Sequence, residues 1–279
     1  MIYLNGINGH LGGLIAAGLA GAGFPLRRLT SSGPTGGDIF CDLREPDLSF
    51  CRDLRPGDFF IFIASYCKHD LCQKNPQTAK AVNVQGSGRL IEALLKRQVK
   101  VLFFSSAAVY GSNEEAATET SPLNGDNPYA LSKIIIEQGF GGDQNFKALR
   151  LSFIMSPQDF LVRYFRACLA QGRPAQIYEG ELMSPLASAD LLHLVQACLC
   201  RWAEAPAVIN AAGAETADKL LLARLYRDLV APDFVFELVS PPLNYLEGRD
   251  VRTPVSARTL SSFIGPPMTL AEAVTREYR

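Results

Sequence analysis

Residues 128–133 read "PYALSK", placing Tyr129 and Lys133 four positions apart just after a proline. Side chains at i and i+4 project from the same face of a helix. A free phenol titrates near about 10 and is a poor base at neutral pH. A neighbouring ammonium favours the phenolate and so lowers that value, and a proton-transfer group works best when its pKa lies near the working pH. The pair therefore reads as an acid–base group with a tuned pKa. The plainer reading is a helix surface that carries one aromatic and one charge.

A second set of residues lies at the start of the chain. "NGINGHLG" (5–12) follows an apolar run and opens a small-residue helix, with Gly6, Gly9 and Gly12 three apart. Glycines let a chain turn tightly and let phosphates approach the backbone. A helix N-terminus adds unpaired N–H groups and partial positive charge, so Asn8, His10 and Leu11 between the glycines fall where a dinucleotide's diphosphate would lie. A triplet of this kind also occurs in ordinary turns; its place between a strand and a helix is what points to a cofactor. About twenty residues further on, a ribose-reading acid is expected. The positions there hold Thr30, Ser31 and Ser32, with Arg27 and Arg28 close by. Hydroxyls and arginines tolerate a 2′-phosphate that an acid would repel, which tilts the reading to NADP(H) over NAD(H).

The elements that must carry these groups alternate. Apolar runs at 2–4, 26–30, 59–65, 100–106 and 146–152 read as strands, and the stretches 10–23, 78–98 and 130–140 as helices. "FFIFIAS" (59–65) is apolar almost throughout, as expected for a central parallel strand covered on both faces. The alternation predicts a Rossmann-type, doubly wound parallel sheet of the α/β class. Beyond residue 153 the pattern loosens. Helices are expected over 159–172, 188–204 and 219–230, and a late strand over 207–213. The proline-bearing run 240–254 reads as a loop, and the closing helix 269–279 has Thr269 and Glu272 spaced as a capping box. The expected division is a dinucleotide-binding domain of residues 1–153, rejoined by 186–213, and a smaller substrate lobe of 154–185 and 214–279.

Composition narrows the choices. With 279 residues, 48% hydrophobic and 20% charged, the chain can bury a sizeable core. A net charge of −1 argues against a nucleic-acid binder. Seven cysteines without a CxxC pair suit reduced thiols in the cytoplasm. Cys67, His69 and Cys72 lie close together, yet no second ligand cluster accompanies them, so no metal site is expected. No stretch approaches the roughly twenty apolar residues of a membrane span, and the N-terminus shows no signal peptide.

Taken with "SSAAVYG" (105–111), these motifs resemble the extended short-chain dehydrogenase/reductases, and within them the NAD(P)-dependent sugar epimerase/dehydratase/reductase branch. The likeness runs through nearly the whole chain. It implies a catalytic Ser106, Tyr129 and Lys133, with Ser105 on the strand beneath. It also implies an adenine-side pair at Asp42 and Leu43, a nicotinamide wall at Ala64 and Ser65, an inward-facing Asn83, and an anchoring Asp190. Lys133 would bond the nicotinamide ribose while Ser106 and Tyr129 hold the reacting oxygen. "RLSFIMSP" (150–157) departs from the family pattern, with Phe153 where an Asn is usual and Ser156 for a Gly. Ala107 and Ala108 stand where a dehydratase carries its Asp-Glu pair.

The expected activity is an NAD(P)-dependent oxidoreductase on a keto sugar, nucleotide-linked, acting as a 4-ketoreductase. The alternatives are a C4 epimerase that holds NAD tightly and a cofactor-binding scaffold without turnover. Lys68, Tyr110, Phe153, Arg249 and Arg252 are the candidate substrate contacts, with Tyr110 equally readable as core packing. A homodimer is expected, because the three consecutive isoleucines in "SKIIIEQGF" exceed what one helix face needs.

Overall fold

A computed structural model describes residues 1–34, 36–67, 69–242 and 251–279. The chain forms two compact units. The first comprises Met1–Val109, Gly125–Arg150 and Cys198–Ile209; the second comprises Tyr110–Asn124, Leu151–Ala197 and Asn210–Arg279. Residues 110–124, 151–153, 186–197 and 210–213 thus belong to the second unit, where the sequence pattern alone assigned them to the first.

A seven-stranded sheet is built from β1 (Ile2–Asn5), β2 (Leu26–Thr30), β3 (Ile39–Phe40), β4 (Phe59–Phe62), β5 (Lys100–Ser106), β6 (Phe146–Leu151) and β10 (Val208–Ala211). Its order is β10-β6-β5-β4-β1-β2-β3. β1 pairs parallel with both β2 and β4, and β4 pairs parallel with β5. The chain therefore winds outward from β1 through β2 and β3, then returns to the other side of β1 as β4. That reversal opens a crevice at the C-terminal ends of β1 and β4, where a doubly wound sheet binds its ligand.

One side of this sheet carries a run of rings. Tyr3, Phe50, Phe60, Phe62, Phe103, Phe146 and Phe140 follow one another with centroids 5.7–6.5 Å apart. Alternate residues of adjacent parallel strands share a face, so aromatics two apart in β4 continue into β5 and β6. Each such pair is worth about 0.5–1.5 kcal/mol beyond its area burial.

α1 (His10–Gly21) follows β1. The predicted helix over 78–98 forms as one continuous helical run, α3 (Pro76–Lys80), a π-helical turn over Ala81–Gly86 and α4 (Ser87–Leu95), preceded by the short α2 (His69–Lys74). It stops at Leu95 because Gln98 adopts the left-handed region, with φ 57°. α5 (Pro128–Phe140) begins at the proline, whose missing N–H costs nothing in a first turn, and Asn127 caps it by accepting the Ala130 N–H.

The second unit has short strands that no periodicity announced: β7 (Ile154–Met155), β8 (Ala175–Tyr178), β9 (Leu186–Ala187) and β11 (Phe236–Val239), paired β7 with β9 and β8 with β11. Its helices among the described residues are α6 (Phe160–Ala170), α7 (Ser188–Cys200), α8 (Lys219–Leu229), α9 (Arg258–Ile264) and α10 (Leu270–Tyr278). The capping box forms, with Thr269 and Glu272 bonded reciprocally. Asp190 accepts the Met268 N–H at 3.0 Å, which ties α7 to the segment before α10. The described end of the expected loop 240–254 is extended and paired: Leu182 donates to the Val251 carbonyl and Asn113 to the Arg252 carbonyl. Among the described residues no helix is long and apolar enough to cross a membrane.

Candidate active site

The crevice end of the first unit begins with a turn that only glycine permits. Gly6 has φ 76°, and a Cβ there would lie 2.9 Å from the Ala64 amide nitrogen. The Gly9 N–H donates to the Gly6 carbonyl at 2.9 Å. A Cβ on Gly12 would lie 2.0 Å from that same carbonyl oxygen. The loop is thus folded against the end of β4 with no room for side chains. Gly9, which has no side-chain oxygen to offer, occupies the N-cap of α1, leaving the first turn at His10 and Leu11 suited to an anion. Beneath the loop, buried Asn5 accepts the Ile63 and Ala64 N–H groups at 2.7 and 2.9 Å, and its Nδ2 has no hydrogen-bond partner. Sequence reasoning missed Asn5; an amide ending a buried apolar strand is the signal that could have found it. A glycine cradle at a helix N-terminus fits a dinucleotide's diphosphate.

The cradle is tied to the end of β2. Asn8 Nδ2 donates to the Thr30 hydroxyl at 2.8 Å and also to Ser32, whose own N–H bonds the Thr30 oxygen at 3.2 Å. Ser31 is exposed beside them. Of the two arginines expected to accommodate a phosphate, Arg28 is ion-paired with Asp38 at 2.8 Å. Asp42 is held below the usual carboxylate range, chiefly by the hydrogen bond from Arg44. Gly86 lets the π-helical turn press on this region: a Cβ there would lie 1.5 Å from the Leu43 carbonyl oxygen.

Asn83, in that turn, is buried and braces the loop after β4. Its Oδ1 accepts the Tyr66 N–H at 2.7 Å and the Ser65 hydroxyl at 3.2 Å. Its Nδ2 donates to the Tyr66 carbonyl at 2.9 Å. The amide groups bond protein, so Asn83 shapes the wall formed by Ala64 and Ser65.

β5 and α5 bring the chemistry together. The Ser106 and Tyr129 side chains are hydrogen-bonded to each other. Lys133 is 3% exposed and donates to the Phe104 carbonyl at 2.8 Å. Its Nζ lies 4.6 Å from the Phe103 ring centre and 5.7 Å from that of Tyr129. Burial raises the Tyr129 pKa above its usual value, against a lowering by the Ser106 bond. Burial pulls Lys133 down to about 8. The lowering expected of Tyr129 from the neighbouring ammonium is thus corrected: burial outweighs it and shifts the phenol the other way, beside an amine that is mostly charged at neutral pH.

The candidate substrate residues fare unevenly. Tyr110 is 1% exposed, and its hydroxyl donates to Asn210 at 2.8 Å. Of the two readings of Tyr110 this burial favours packing: the hydroxyl serves a fully buried amide whose Nδ2 in turn bonds the Ala117 carbonyl. Phe153 packs edge-on against exposed Phe160, centroids 5.5 Å apart. Arg252 pairs with Glu114 at 2.8 Å, while its Nε has no partner. Lys68 and Arg249 lie outside the described residues.

A doubly wound sheet with a glycine cradle at its switch point and a bonded Ser–Tyr pair above a buried Lys defines a dinucleotide-binding protein of the short-chain dehydrogenase/reductase type. Residues 2–161 match the model of the NAD dependent epimerase/dehydratase family, and the chain belongs to that family. Among curated relatives it is similar to a dTDP-4-dehydrorhamnose reductase of Mycolicibacterium smegmatis, 25% identical over 241 residues, covering 83% of this chain and 70% of that protein. Among solved structures it resembles the UDP-glucose 4-epimerase of Thermus thermophilus in complex with NAD, with TM-score 0.80, 21% identity, and 99% and 97% of the two chains covered. It also resembles the UDP-glucose 4-epimerase of Thermotoga maritima with UDP-glucose, with TM-score 0.82, 17% identity, and 99% and 97% covered. At these identities the two structures speak for the fold.

Proposed function

We propose that this protein is an NADP(H)-preferring reductase of a nucleotide-linked 4-keto sugar. The observation that carries the reading is the Tyr129 phenol set against Ser106, one helical turn from buried Lys133. In a reductase that phenol is the acid and in an epimerase it starts as the base. The reductase relative supports the same choice, as do Ala107 and Ala108 where a dehydratase has acids.

Gly6, Gly9 and Gly12 with the first turn of α1 would hold the diphosphate, and Asn8, Thr30 and Ser32 the adenosine ribose. A nicotinamide bound in this site supplies the hydride that reduces the carbonyl carbon. Tyr129 Oη gives its proton to the carbonyl oxygen as negative charge develops there, and Ser106 Oγ stabilises the same oxygen. Lys133 has three donors and spends one on Phe104, which leaves its ammonium to steady the phenol and bond the ribose. Arg252 is the candidate diphosphate clamp for the sugar nucleotide.

A homodimer is part of the proposal. Ile134 and Ile136 are buried, while Ile135 and Leu131 are 49% and 44% exposed and one turn apart on α5. That apolar stripe is what a second copy would cover.

The test is NADPH oxidation with a panel of dTDP- and UDP-linked 4-keto-6-deoxyhexoses. Turnover is expected to fall by about 10²–10⁴ in Tyr129→Phe while NADPH affinity holds. Full turnover by that variant would remove the mechanism.

A further inference from the structure

One turn beyond Lys133, Glu137 is buried, and both its carboxylate oxygens are taken. Oε1 accepts the Ser105 hydroxyl. Oε2 accepts Arg150 Nε at 2.9 Å and Nη2 at 2.6 Å. The two charged side chains are each 5% exposed. Three successive turns of α5 are thereby stitched to three successive residues of β5: Tyr129 to Ser106, Lys133 to the Phe104 carbonyl, and Glu137 to Ser105. Arg150 extends the stitch to β6. A buried ion pair is a poor way to gain stability, because desolvation offsets the attraction. An apolar pair would join helix to sheet as well, so the charges themselves call for a reason.

We propose that Glu137, gripped by Arg150 and Ser105, is a positioning residue of the proton-transfer centre: it sets the register of α5 on β5, and its negative charge keeps the Lys133 amine charged. The catalytic meaning rests on the reductase reading; the charge of Lys133 does not, and it can be measured without substrate.

The groups facing Lys133 give the sign. Burial is the largest influence and pulls the amine down to about 8. Cys67 from the loop after β4, Glu137 from α5, and Cys72 from α2 push it up. The Phe104 carbonyl and the Phe103 and Tyr129 rings complete its surroundings. At pH 7 an amine of that pKa is about ten parts ammonium to one part amine. Removing the Glu137 charge takes away one of the influences that hold the Lys133 amine up and moves it toward the neutral form.

The experiment is a pH titration of protein carrying 13C at the lysine Cε positions, followed by NMR. The chain has eight lysines, and the Lys133 resonance is identified by its loss in Lys133→Arg. The wild-type midpoint is expected at about 8. Glu137→Gln should lower it by about one unit, a tenfold change in the ammonium-to-amine ratio. A purely structural residue would lower thermal stability in Glu137→Gln and leave the midpoint in place. An unmoved midpoint in Glu137→Gln overturns the proposal. If Glu137→Gln does not fold, Glu137→Asp draws the charge back by one methylene. It should give a smaller downward shift, and no shift overturns the proposal equally. A wild-type protein idle across the sugar panel but showing these shifts would sink the reductase reading and leave this one standing.

Discussion

Gly12→Ala tests the cradle at its tightest point. The added Cβ would sit 2.0 Å from the Gly6 carbonyl oxygen and 2.5 Å from its carbon. Ordinary contact begins at 3.4 Å, so the shortfall is 3.4 − 2.0 = 1.4 Å. Neither side can yield cheaply. The Gly6 carbonyl is held by the Gly9 N–H at 2.9 Å, and Gly6 itself abuts the Ala64 backbone. The loop must therefore swing off the end of β4 by more than 1 Å, which takes its N–H groups out of reach of a diphosphate. Overpacking of this kind costs about 1–3 kcal/mol of stability. The loss in binding should be of similar size, about 100-fold in NADPH affinity, or roughly 2.7 kcal/mol. Calorimetric titration with NADPH and NADH reads it, with far-UV circular dichroism to show that the fold persists. Gly21→Ala is the control: no atom lies within 4 Å of its added Cβ, and binding should not change. Wild-type affinity in Gly12→Ala, or equal losses in both variants, would refute the reasoning.

Asp38→Asn should release Arg28 from its ion pair and take away an acid that repels a 2′-phosphate. NADPH affinity is expected to rise about fivefold, near 1 kcal/mol, with NADH unchanged; an unaltered NADPH-to-NADH ratio would show that Arg28 does not read the phosphate. Ile135→Glu places a charge in the exposed stripe of α5 and should convert a wild-type dimer to monomer in sedimentation velocity. A wild-type monomer, or a variant that still pairs, would locate no dimer on that face.

The amino-acid pattern alone determined what local geometry governs. A glycine triplet between a strand and a helix, and a Tyr–Lys pair at i and i+4, carry their spatial meaning in their spacing, because backbone period sets which side chains share a face. Ile135 was legible in the same way, as one isoleucine too many for a single buried stripe. Tertiary structure decided the rest. Glu137 meets Arg150 and Ser105 only because β5 and β6 lie side by side under α5. Tyr110, which the sequence leaves equally readable as substrate contact or packing, bonds Asn210 a hundred residues away. Asn83 braces a loop through a π-helical turn that hydrophobic periodicity reads as ordinary helix. The two-residue strands β7 and β9 are too short to show a period, and their pairing exists only as a partner across the fold. Spacing can announce which residues could do chemistry; which of them are free to do it depends on hydrogen bonds made at long range, and those follow from the order in which the strands assemble.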